Sequence, residues 1–236
     1  MLAIIIAGGR GERMHRSGGR APKALTPLNG EPLIAHLCRH LQQHGIDRVV
    51  VALGHRADET ASGLRSLRSR SGGLELDWVD TGCDCGNAGR LLRLGPHTPQ
   101  ERFVMCWCDA ITDLDLTAMC AEHARHGDSA TIAAVREPPR WGQLELAGDR
   151  VVQMREKAAV DRRWINGGYF VLEPDVLALV GHPGESWEEG ALQRLVAADQ
   201  LRAWRHEGFW AAVDTLADRD EIEACLPALS GQEGRT

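Results

Sequence analysis

A glycine-rich segment near the start of the chain combines anion-binding backbone with cationic side chains. The apolar run Leu2–Ala7 leads into GGRGERM at residues 8–14, and Pro22-Lys23 follow ahead of a predicted helix. Glycines let bare backbone N–H groups approach a phosphate, and the arginines and the lysine add positive charge. The segment indicates a phosphate site, although a solvated turn fits the glycines alone equally well.

The spacing in this segment does not match two common phosphate loops. A Walker loop needs Gly-Lys-Ser/Thr after four spacer residues, and no such triplet follows Gly8. A dinucleotide-binding turn that starts at Gly9 needs its third glycine where this chain has Met14. If the segment binds phosphate, it does so in another way.

Two aspartates at the ends of predicted strands could hold a divalent cation. Asp109 follows the run FVMCWC, and Asp214 follows the run GFWAAV. Ligands of open α/β sheets bind beyond the carboxyl ends of the strands. Mg²⁺ takes oxygen ligands and keeps several waters, so two carboxylates and substrate phosphates suit it. A lone strand-end aspartate more often caps the next element, but the pair beside a basic glycine loop favours a magnesium site.

Two further segments are candidates for contacts with a second substrate. Glu156-Lys157 precedes the predicted strand that begins at Trp164, and the lysine would meet a second phosphate or be an exposed loop charge. Asn166-Gly167-Gly168 interrupts that strand, and glycines inside a strand indicate a bulge or the close approach of a ligand. Asn166 would then bind a sugar hydroxyl or satisfy the bulge itself.

Alternating strands and helices would place these residues at one edge of a parallel sheet. Periodicity predicts strands at 2–7, 48–54, 74–79, 102–108, 130–135 and 164–172, and helices at 32–44, 57–69, 114–125, 188–198 and 217–226. Gly148-Asp149 predicts a hairpin in the second half. We expect one Rossmann-like α/β domain over residues 1–229, with a mixed, mostly parallel sheet flanked by helices and a small antiparallel annex. Residues 230–236 are expected to form a disordered tail.

Composition and charge argue against several classes of partner. The 236 residues carry a formal net charge of -6, so no global basic field favours nucleic acid. No apolar run approaches the ~20 residues of a membrane span, which predicts no membrane partner. Leu2–Ala7 is too short for a signal peptide and has no charged region before it, so we expect a cytoplasmic protein.

Seven cysteines raise the alternative of a zinc site. Cys83 with Cys85 and Cys106 with Cys108 could supply four thiolates, but the C-x-C spacing is not the usual C-x₂-C. We interpret these four residues as small core or loop residues instead.

Together these motifs resemble the sugar-1-phosphate nucleotidyltransferases. The segments that carry the resemblance occur in the family's order over nearly the whole chain: IIIAGGRGERM, Ala21-Pro22-Lys23, WCDAITDLD with Asp109, Glu156-Lys157, WINGGYFVL and Asp214. Within the family the chain is most similar to the glucose-1-phosphate cytidylyltransferases, through VDTG at 79–82, AGRL at 88–91, SWE at 186–188, GFW at 208–210 and DTL at 214–216. The resemblance implies a fold of the nucleotide-diphospho-sugar transferase type.

The resemblance also implies a reaction and the residues that perform it. The phosphate of a sugar 1-phosphate would attack the α-phosphorus of a nucleoside triphosphate, CTP for the most similar members, and pyrophosphate would leave, with Mg²⁺ as cofactor. The implied catalytic residues are Arg13, Lys23, Asp109, Lys157 and Asp214, of which Asp109 and Asp214 would bind the metal. The implied nucleotide-binding residues are Ala7, Gly8, Gly9, Gly11, Thr81, Asn87, Gly89 and Arg90. The implied sugar-phosphate contacts are Gly142, Glu156, Lys157, Asn166 and Gly168.

Departures from the family pattern leave the base and the sugar open. Asn87-Ala88-Gly89 replaces Thr-Gly-Gly near the expected base, and Glu12 stands where threonine is usual. Alternatives are UTP, GTP or ATP with a heptose, muramate or cyclitol phosphate, and a nucleotide-sugar-binding domain without turnover. The presence of both metal carboxylates argues against the last. Both a monomer and a homo-oligomer remain open.

Overall fold

The computed structural model describes residues 1–70, 72–136, 143–155 and 163–230. The strands are β1 (Leu2–Ile6), β2 (Pro27–Leu28), β3 (Glu31–Pro32), β4 (Arg48–Leu53), β5 (Glu75–Asp80), β6 (Phe103–Trp107), β7 (Ala110–Thr112), β8 (Ala130–Arg136), β9 (Gln143–Ala147), β10 (Arg150–Arg155), β11 (Trp164–Leu172), β12 (Leu201–His206) and β13 (Trp210–Ala212). The α-helices are α1 (Glu12–Arg16), α2 (Leu33–Gln43), α3 (Ala57–Arg68), α4 (Gly89–Leu92), α5 (Leu116–His126), α6 (Ala191–Ala197) and α7 (Leu216–Ser230). Short 3₁₀ turns cover Lys23–Leu25, Gly95–His97 and Pro174–Leu179.

A seven-stranded sheet forms the centre of the molecule, in the order β12-β8-β11-β6-β1-β4-β5. All neighbouring pairs in it are parallel except those of β11, which runs antiparallel to β6 and β8. Ile4 of β1 lies level with Val50 of β4 and Met105 of β6, and all three are fully buried. Runs of β-branched residues suit these strands because helices cover both faces of a parallel sheet.

Two hydrophobic clusters, one on each face, hold the helices against the sheet. Successive residues of a strand point to opposite faces, so Ile5 belongs to the cluster with α2 and α3, whereas Ile4 belongs to the cluster with α4 and α6. Helix α2 buries Leu33, Leu37 and Leu41 on one side, and the chain turns away from it at Gly45, whose φ is 75°. Because β1, β4, β5 and β6 run parallel, their carboxyl ends lie at the same edge of the sheet.

Among the described residues, three small antiparallel sheets lie outside the main one, the first of which is formed by β2 and β3. Strands β9 and β10 pair around Gly148-Asp149, as the sequence predicts. Strand β13 pairs with β7, directly after β6, with Ala212 opposite Ala110. Through this pairing, the segment that follows β12 lies next to the carboxyl end of β6.

The predicted fold class is confirmed, with local differences. The helix predicted at 188–198 begins only at Ala191, because residues up to Gly190 form a loop against the segment before α4. Helix α1 lies inside the segment taken as a glycine loop, and α7 continues to Ser230, the first residue of the predicted tail. Residues 231–236 lie outside the described residues, as do Gly142, Glu156 and Lys157. No helix in the described ranges is long and apolar enough to cross a membrane.

Candidate active site

A cleft of about 540 Å³ opens at the carboxyl edge of β1 and β6. It is lined by much of the predicted site: Ala7, Gly9, Gly11, Arg13, Lys23, Asn87, Arg90, Asp109 and Asp214. It is also lined by residues that the sequence did not single out for a role: Ile6, Met14, Cys85, Trp107, Cys108 and Glu188, together with Glu12, whose role the sequence left open. The structure thus gathers residues from six separate segments of the chain around one cavity: 6–14, 23, 85–90, 107–109, 188 and 214.

The glycine loop contributes open backbone to the cleft. Gly11 has φ 60° and precedes α1, a conformation that favours glycine. A Cβ atom at Gly9 would meet nothing within 4 Å, so this position leaves room for a ligand against the chain. Gly8 is needed for a different reason, because a Cβ there would lie 2.1 Å from the Arg90 guanidinium. Glu12 lies in the first turn of α1, 3.5 Å from Arg16.

Two cations and two carboxylates meet at the mouth of this loop. Lys23 Nζ donates to Asp109 Oδ2 at 2.5 Å and to Asp214 Oδ1 at 2.7 Å, and Arg13 Nη1 donates to Asp214 Oδ2 at 2.5 Å. The lysine and both carboxylates are largely buried, whereas the Arg13 side chain is 70% exposed. We call Arg13, Lys23, Asp109 and Asp214 the charged cluster.

The charged cluster holds its lysine in the protonated form. Burial, the largest single effect, lowers the pKa of Lys23, but the charge of Asp109 and the hydrogen bonds to both aspartates outweigh it. The pKa of Lys23 is therefore raised above its usual value. A fixed positive charge between two carboxylates can bind and neutralise a substrate phosphate.

Local structure explains why these four side chains converge. The pairing of β13 with β7 lets the Val213 N–H donate to the Asp109 carbonyl at 2.9 Å, which sets Asp214 beside Asp109. Asp218 in α7 accepts the backbone N–H groups of Asp214 and Thr215 at 3.1 and 2.8 Å and fixes the turn after β13. A 3₁₀ turn that begins after Pro22 presents Lys23 to the pair.

The two aspartates fit the predicted role of metal ligands. Their oxygens lie 2.5 and 2.7 Å from one ammonium group, so both carboxylates already face a common point. Mg²⁺ is usually held by one or two carboxylates together with waters and substrate phosphates. The donor set matches that pattern, because the remaining ligands can come from solvent and substrate.

Arg90 ties three strand ends together behind the cleft. It is 3% exposed. Its guanidinium donates to Thr81 Oγ1 and to the carbonyl oxygens of Gly8, Leu53, Gly82 and Cys85, over 2.6–3.1 Å. These acceptors follow β1, β4 and β5, and none carries a formal charge. Burial lowers the pKa of Arg90, but the hydrogen bonds satisfy its donors. Arg90 thus fixes the loops that form one wall of the cleft.

Thr81 and Gly89, which were predicted to bind the nucleotide, are used for packing. Thr81 is 2% exposed and donates its hydroxyl proton to the Leu53 carbonyl at 2.5 Å. Gly89 lies against the backbone of Pro183, where a Cβ atom would be 1.8 Å from the carbonyl oxygen. Neither lines the cleft. A direct contact between either residue and a nucleotide stays a prediction.

The sugar half of the predicted site lies along the start of β11. The strand pairing shifts register between Asn166 and Phe170, which confirms the predicted bulge. Asn166 Oδ1 accepts the Gly168 N–H at 2.8 Å, so this side chain satisfies the bulge. Gly168 has φ 77° and packs on Trp107, whose ring would be 2.7 Å from a Cβ atom. Trp107 in turn lines the cleft.

The four cysteines considered for zinc do not form a common site. Cys106 is fully buried inside β6, and burial raises its pKa well above the usual value. Burial also raises the pKa of Cys108 to about 12, whereas Cys83 is exposed. In the part of the chain that the structure describes, no group of three or more His, Cys, Asp or Glu residues could hold a metal ion.

Comparison with known proteins places this geometry in a family. Residues 3–200 match the family model of the MobA-like NTP transferase domain. The chain belongs to that family. The chain is 31% identical to the glucose-1-phosphate cytidylyltransferase of Salmonella typhimurium, over 94% of this chain and 95% of that protein. It is 30% identical to the UTP–glucose-1-phosphate uridylyltransferase of Synechocystis, over 99% of this chain and 68% of that protein.

Solved structures agree on the fold. The crystal structure of HddC from Yersinia pseudotuberculosis superposes with a TM-score of 0.72 and covers 95% of this chain and 99% of that one, at 19% identity. Together these matches confirm the resemblance to the sugar-1-phosphate nucleotidyltransferases and the predicted α/β fold. As a member of this MobA-like NTP transferase family, the protein is an enzyme of nucleotidyl transfer to sugar phosphates.

Proposed function

We propose that the protein transfers CMP from CTP to glucose 1-phosphate, releases pyrophosphate and makes CDP-glucose. The observation that carries this proposal is the charged cluster, in which Lys23 bridges Asp109 and Asp214 beside an open glycine loop. CTP and glucose are favoured over other substrates because the Salmonella typhimurium relative, a glucose-1-phosphate cytidylyltransferase, matches along almost its whole length.

On the nucleotide side, the loop and the arginine would receive the triphosphate. The N–H groups of Gly9 and Gly11 would donate to phosphate oxygens, since neither position carries a side chain that blocks approach. Arg13 is exposed at the mouth of the cleft and would neutralise the β- and γ-phosphates as they leave as pyrophosphate. No Walker lysine is needed, because the attack is at the α-phosphorus.

Between the substrates, Lys23 would bring two anions together. Two phosphates that approach within a few ångströms in a partly dry cleft repel each other strongly unless a cation lies between them. Lys23 is held on both sides by carboxylates, so it is oriented before the substrates bind. Asp109 and Asp214 would hold Mg²⁺ in place of their contacts with the Lys23 ammonium group, which would turn to the substrate phosphates. The metal when bound supplies charge neutralisation and polarises the α-phosphate. The chain's main contribution is then positioning and electrostatics.

On the sugar side, β11 and Trp107 would shape the pocket. Asn166 and Gly168 would contact sugar hydroxyls, and the Trp107 ring beside Gly168 offers an apolar surface to the sugar. Glu156, Lys157 and Gly142 complete the proposed set by resemblance to the family. The proposal treats residues 1–229 as one catalytic unit, since β13 and α7 carry residues that orient the charged cluster.

A substrate panel tests this proposal. CTP, UTP, GTP and ATP are each combined with glucose, mannose, heptose, muramate and inositol 1-phosphates in the presence of Mg²⁺, and pyrophosphate release is followed. The highest kcat/KM is expected for CTP with glucose 1-phosphate. If another pair gave the highest kcat/KM, the proposed substrates would be wrong, but the proposed nucleotidyl transfer would stand. No release with any pair, despite nucleotide binding, would contradict catalysis and favour a binding domain.

A further inference from the structure

Two carboxylates that line the cleft, Glu12 and Glu188, have no place in the proposed reaction, and of these Glu12 pairs with Arg16. Glu188 lies in the loop before α6 and is partly buried. It lines the same cavity as the glycine loop and Asp109. A second acidic wall is unexpected in a cleft built for a polyanion, because a carboxylate repels phosphate.

The Glu188 side chain is held in one orientation. Its Oε2 atom accepts hydrogen bonds from Asn87 Nδ2 at 2.9 Å and from Ser186 Oγ at 3.0 Å. Asn87 is fixed in turn, because its Oδ1 accepts the backbone N–H groups of Ala88 at 3.0 Å and Trp187 at 2.6 Å. Trp187 is fully buried under this clamp. These hydrogen bonds fix the orientation of the Glu188 carboxylate.

The second oxygen of this carboxylate stays available to a ligand. Within the described ranges, no Lys, Arg or His nitrogen lies within 4 Å of the Glu188 carboxylate, and no hydrogen bond reaches Oε1. The cations of the cleft are engaged elsewhere, since Lys23 and Arg13 pair with the aspartates and Arg90 is bound to neutral acceptors. Because both side-chain donors of the clamp bind Oε2, a donor group of a ligand in the cleft would bind at Oε1.

The substrates can offer such a donor in three places. Phosphate groups are largely deprotonated near neutral pH and are repelled by a carboxylate. The remaining donors are an N–H group of the base, such as the exocyclic amino group on C4 of cytosine, the ribose hydroxyl groups of the nucleotide, and the hydroxyl groups of the sugar phosphate. Uracil carries a carbonyl oxygen where cytosine carries the amino group, so an acidic acceptor would favour cytosine there.

We propose that Glu188 is a specificity-determining residue that accepts a hydrogen bond from an uncharged donor group of the substrate, and that Asn87 positions it. The proposal rests on the proposed function for the identity of the substrates. It also gives Asn87 a different task from direct contact with the base, since its oxygen is already used by two backbone N–H groups.

The test compares Glu188→Gln with the matched control Glu189→Gln, whose side chain is exposed next to it. Binding of CTP, UTP and glucose 1-phosphate is measured by calorimetry, and KM and kcat are measured for each substrate. The glutamine side chain keeps the shape of the original one but can donate as well as accept. We expect the Glu188→Gln variant to lose about 10- to 100-fold in affinity or in kcat/KM for one substrate, the range of a lost hydrogen bond to a charged group.

The pattern of the loss identifies the donor. A fall in the preference for CTP over UTP indicates the base amino group, and an equal loss for CTP and UTP with glucose 1-phosphate unaffected indicates a ribose hydroxyl. A raised KM for glucose 1-phosphate alone indicates a hydroxyl of the sugar phosphate. Asn87→Ala should reproduce the same selective change more weakly. Unchanged affinities and KM values in Glu188→Gln, or equal losses for all substrates together with lowered thermal stability, would overturn the proposal. Because binding is measured directly, the result stands even if the wild-type protein shows no turnover.

Discussion

Lys23 Nζ lies 2.7 Å from Asp214 Oδ1, although 191 positions separate the two residues in the chain. The same ammonium group lies 2.5 Å from Asp109. The Lys23 ammonium group therefore links the N-terminal part of the chain to Asp109, just after the carboxyl end of β6, and to Asp214, in the turn after β13. The arrangement depends on the whole sheet, and it places the groups that a reaction between two phosphates requires at a single point.

Replacement of this lysine should abolish most of the activity. Lys23→Met removes the cation between the substrates, and we expect kcat to fall roughly 100- to 1,000-fold, the range for loss of one preorganised electrostatic group. Lys23→Arg should retain more activity because it keeps the charge. Steady-state pyrophosphate release measures the effect, with Arg39→Met, an exposed residue paired with Glu31, as the control. Near-normal turnover in Lys23→Met would remove the lysine from the mechanism.

Arg90 should matter first for stability. Arg90→Lys leaves several buried carbonyl oxygens without donors, because an ammonium group cannot reach acceptors behind β1, β4 and β5 at once. We expect a loss of about 2–4 kcal/mol in the free energy of unfolding, measured by urea denaturation. Arg93→Lys is the control, since Arg93 pairs with Asp84 at the surface. Equal free energies of unfolding for Arg90→Lys and Arg93→Lys would contradict the role of Arg90 in holding the ends of β1, β4 and β5 together.

Two glycines near the cleft should respond differently to alanine. Gly89→Ala places a Cβ atom 1.8 Å from the Pro183 carbonyl oxygen, so the backbone must shift and the protein should lose stability. Gly9→Ala meets no atom within 4 Å, so it should fold normally but bind CTP more weakly. Thermal denaturation and CTP titration separate the two effects. If Gly9→Ala bound CTP like the wild type, the loop would not carry the triphosphate.

The partly buried His40, whose Nε2 atom is shielded from solvent, predicts an acid-sensitive fold. Desolvation, with smaller effects from His44 and His206, lowers the pKa of His40 from 6.5 to about 4. Tyr169 packs against its ring, and its Nε2 has no hydrogen-bond partner among the described residues. The unfolded chain therefore binds a proton that the folded protein excludes. Stability conferred by the neutral ring is present above pH 6.5 and is lost as the pH falls towards 4.

Substitution of His40 should reduce the dependence of the free energy of unfolding on pH between about 4 and 6.5. The wild type should lose up to roughly 3 kcal/mol through His40 across that window, and His40→Leu should remove this part of the slope. Urea midpoints measured between pH 4 and 7 give the slope, and His182→Leu, at an exposed position, serves as the control. The same pH slope in His40→Leu as in the wild type would show that other groups govern acid stability.

Much of this site could be predicted from sequence because its parts are local patterns. The glycine loop, Lys23 after Pro22 and the strand-end Asp109 each stand out by residue type and position. Asp214 was found in the same way, although its place beside Asp109 depends on the pairing of β13 with β7. The order of the strands, with β11 antiparallel inside the sheet, could not be predicted, because no local sequence pattern encodes it.

What the sequence missed depends on long-range contacts. Glu188 drew attention only as part of the SWE segment, because its meeting with Asn87 joins residues 101 positions apart. Asp218 was given no role from the sequence, although it fixes the turn that carries Asp214. Arg90 was predicted to bind the nucleotide, and this stays a prediction; its hydrogen bonds to the carbonyl groups of Gly8 and Gly82 could not be foreseen, because only the fold determines where those groups lie.

We propose that the protein transfers the α-phosphoryl group of CTP, as CMP, onto a sugar phosphate at the charged cluster. Phosphorus-31 NMR of CTP, glucose 1-phosphate, Mg²⁺ and enzyme follows every phosphorus atom at once, with Asp109→Asn as the matched inactive variant. We predict that CDP-glucose and pyrophosphate appear in equal amounts with the wild type and are almost undetectable with Asp109→Asn. Unchanged CTP, hydrolysis to CMP without consumption of the sugar phosphate, or equal rates for the two proteins would contradict this account.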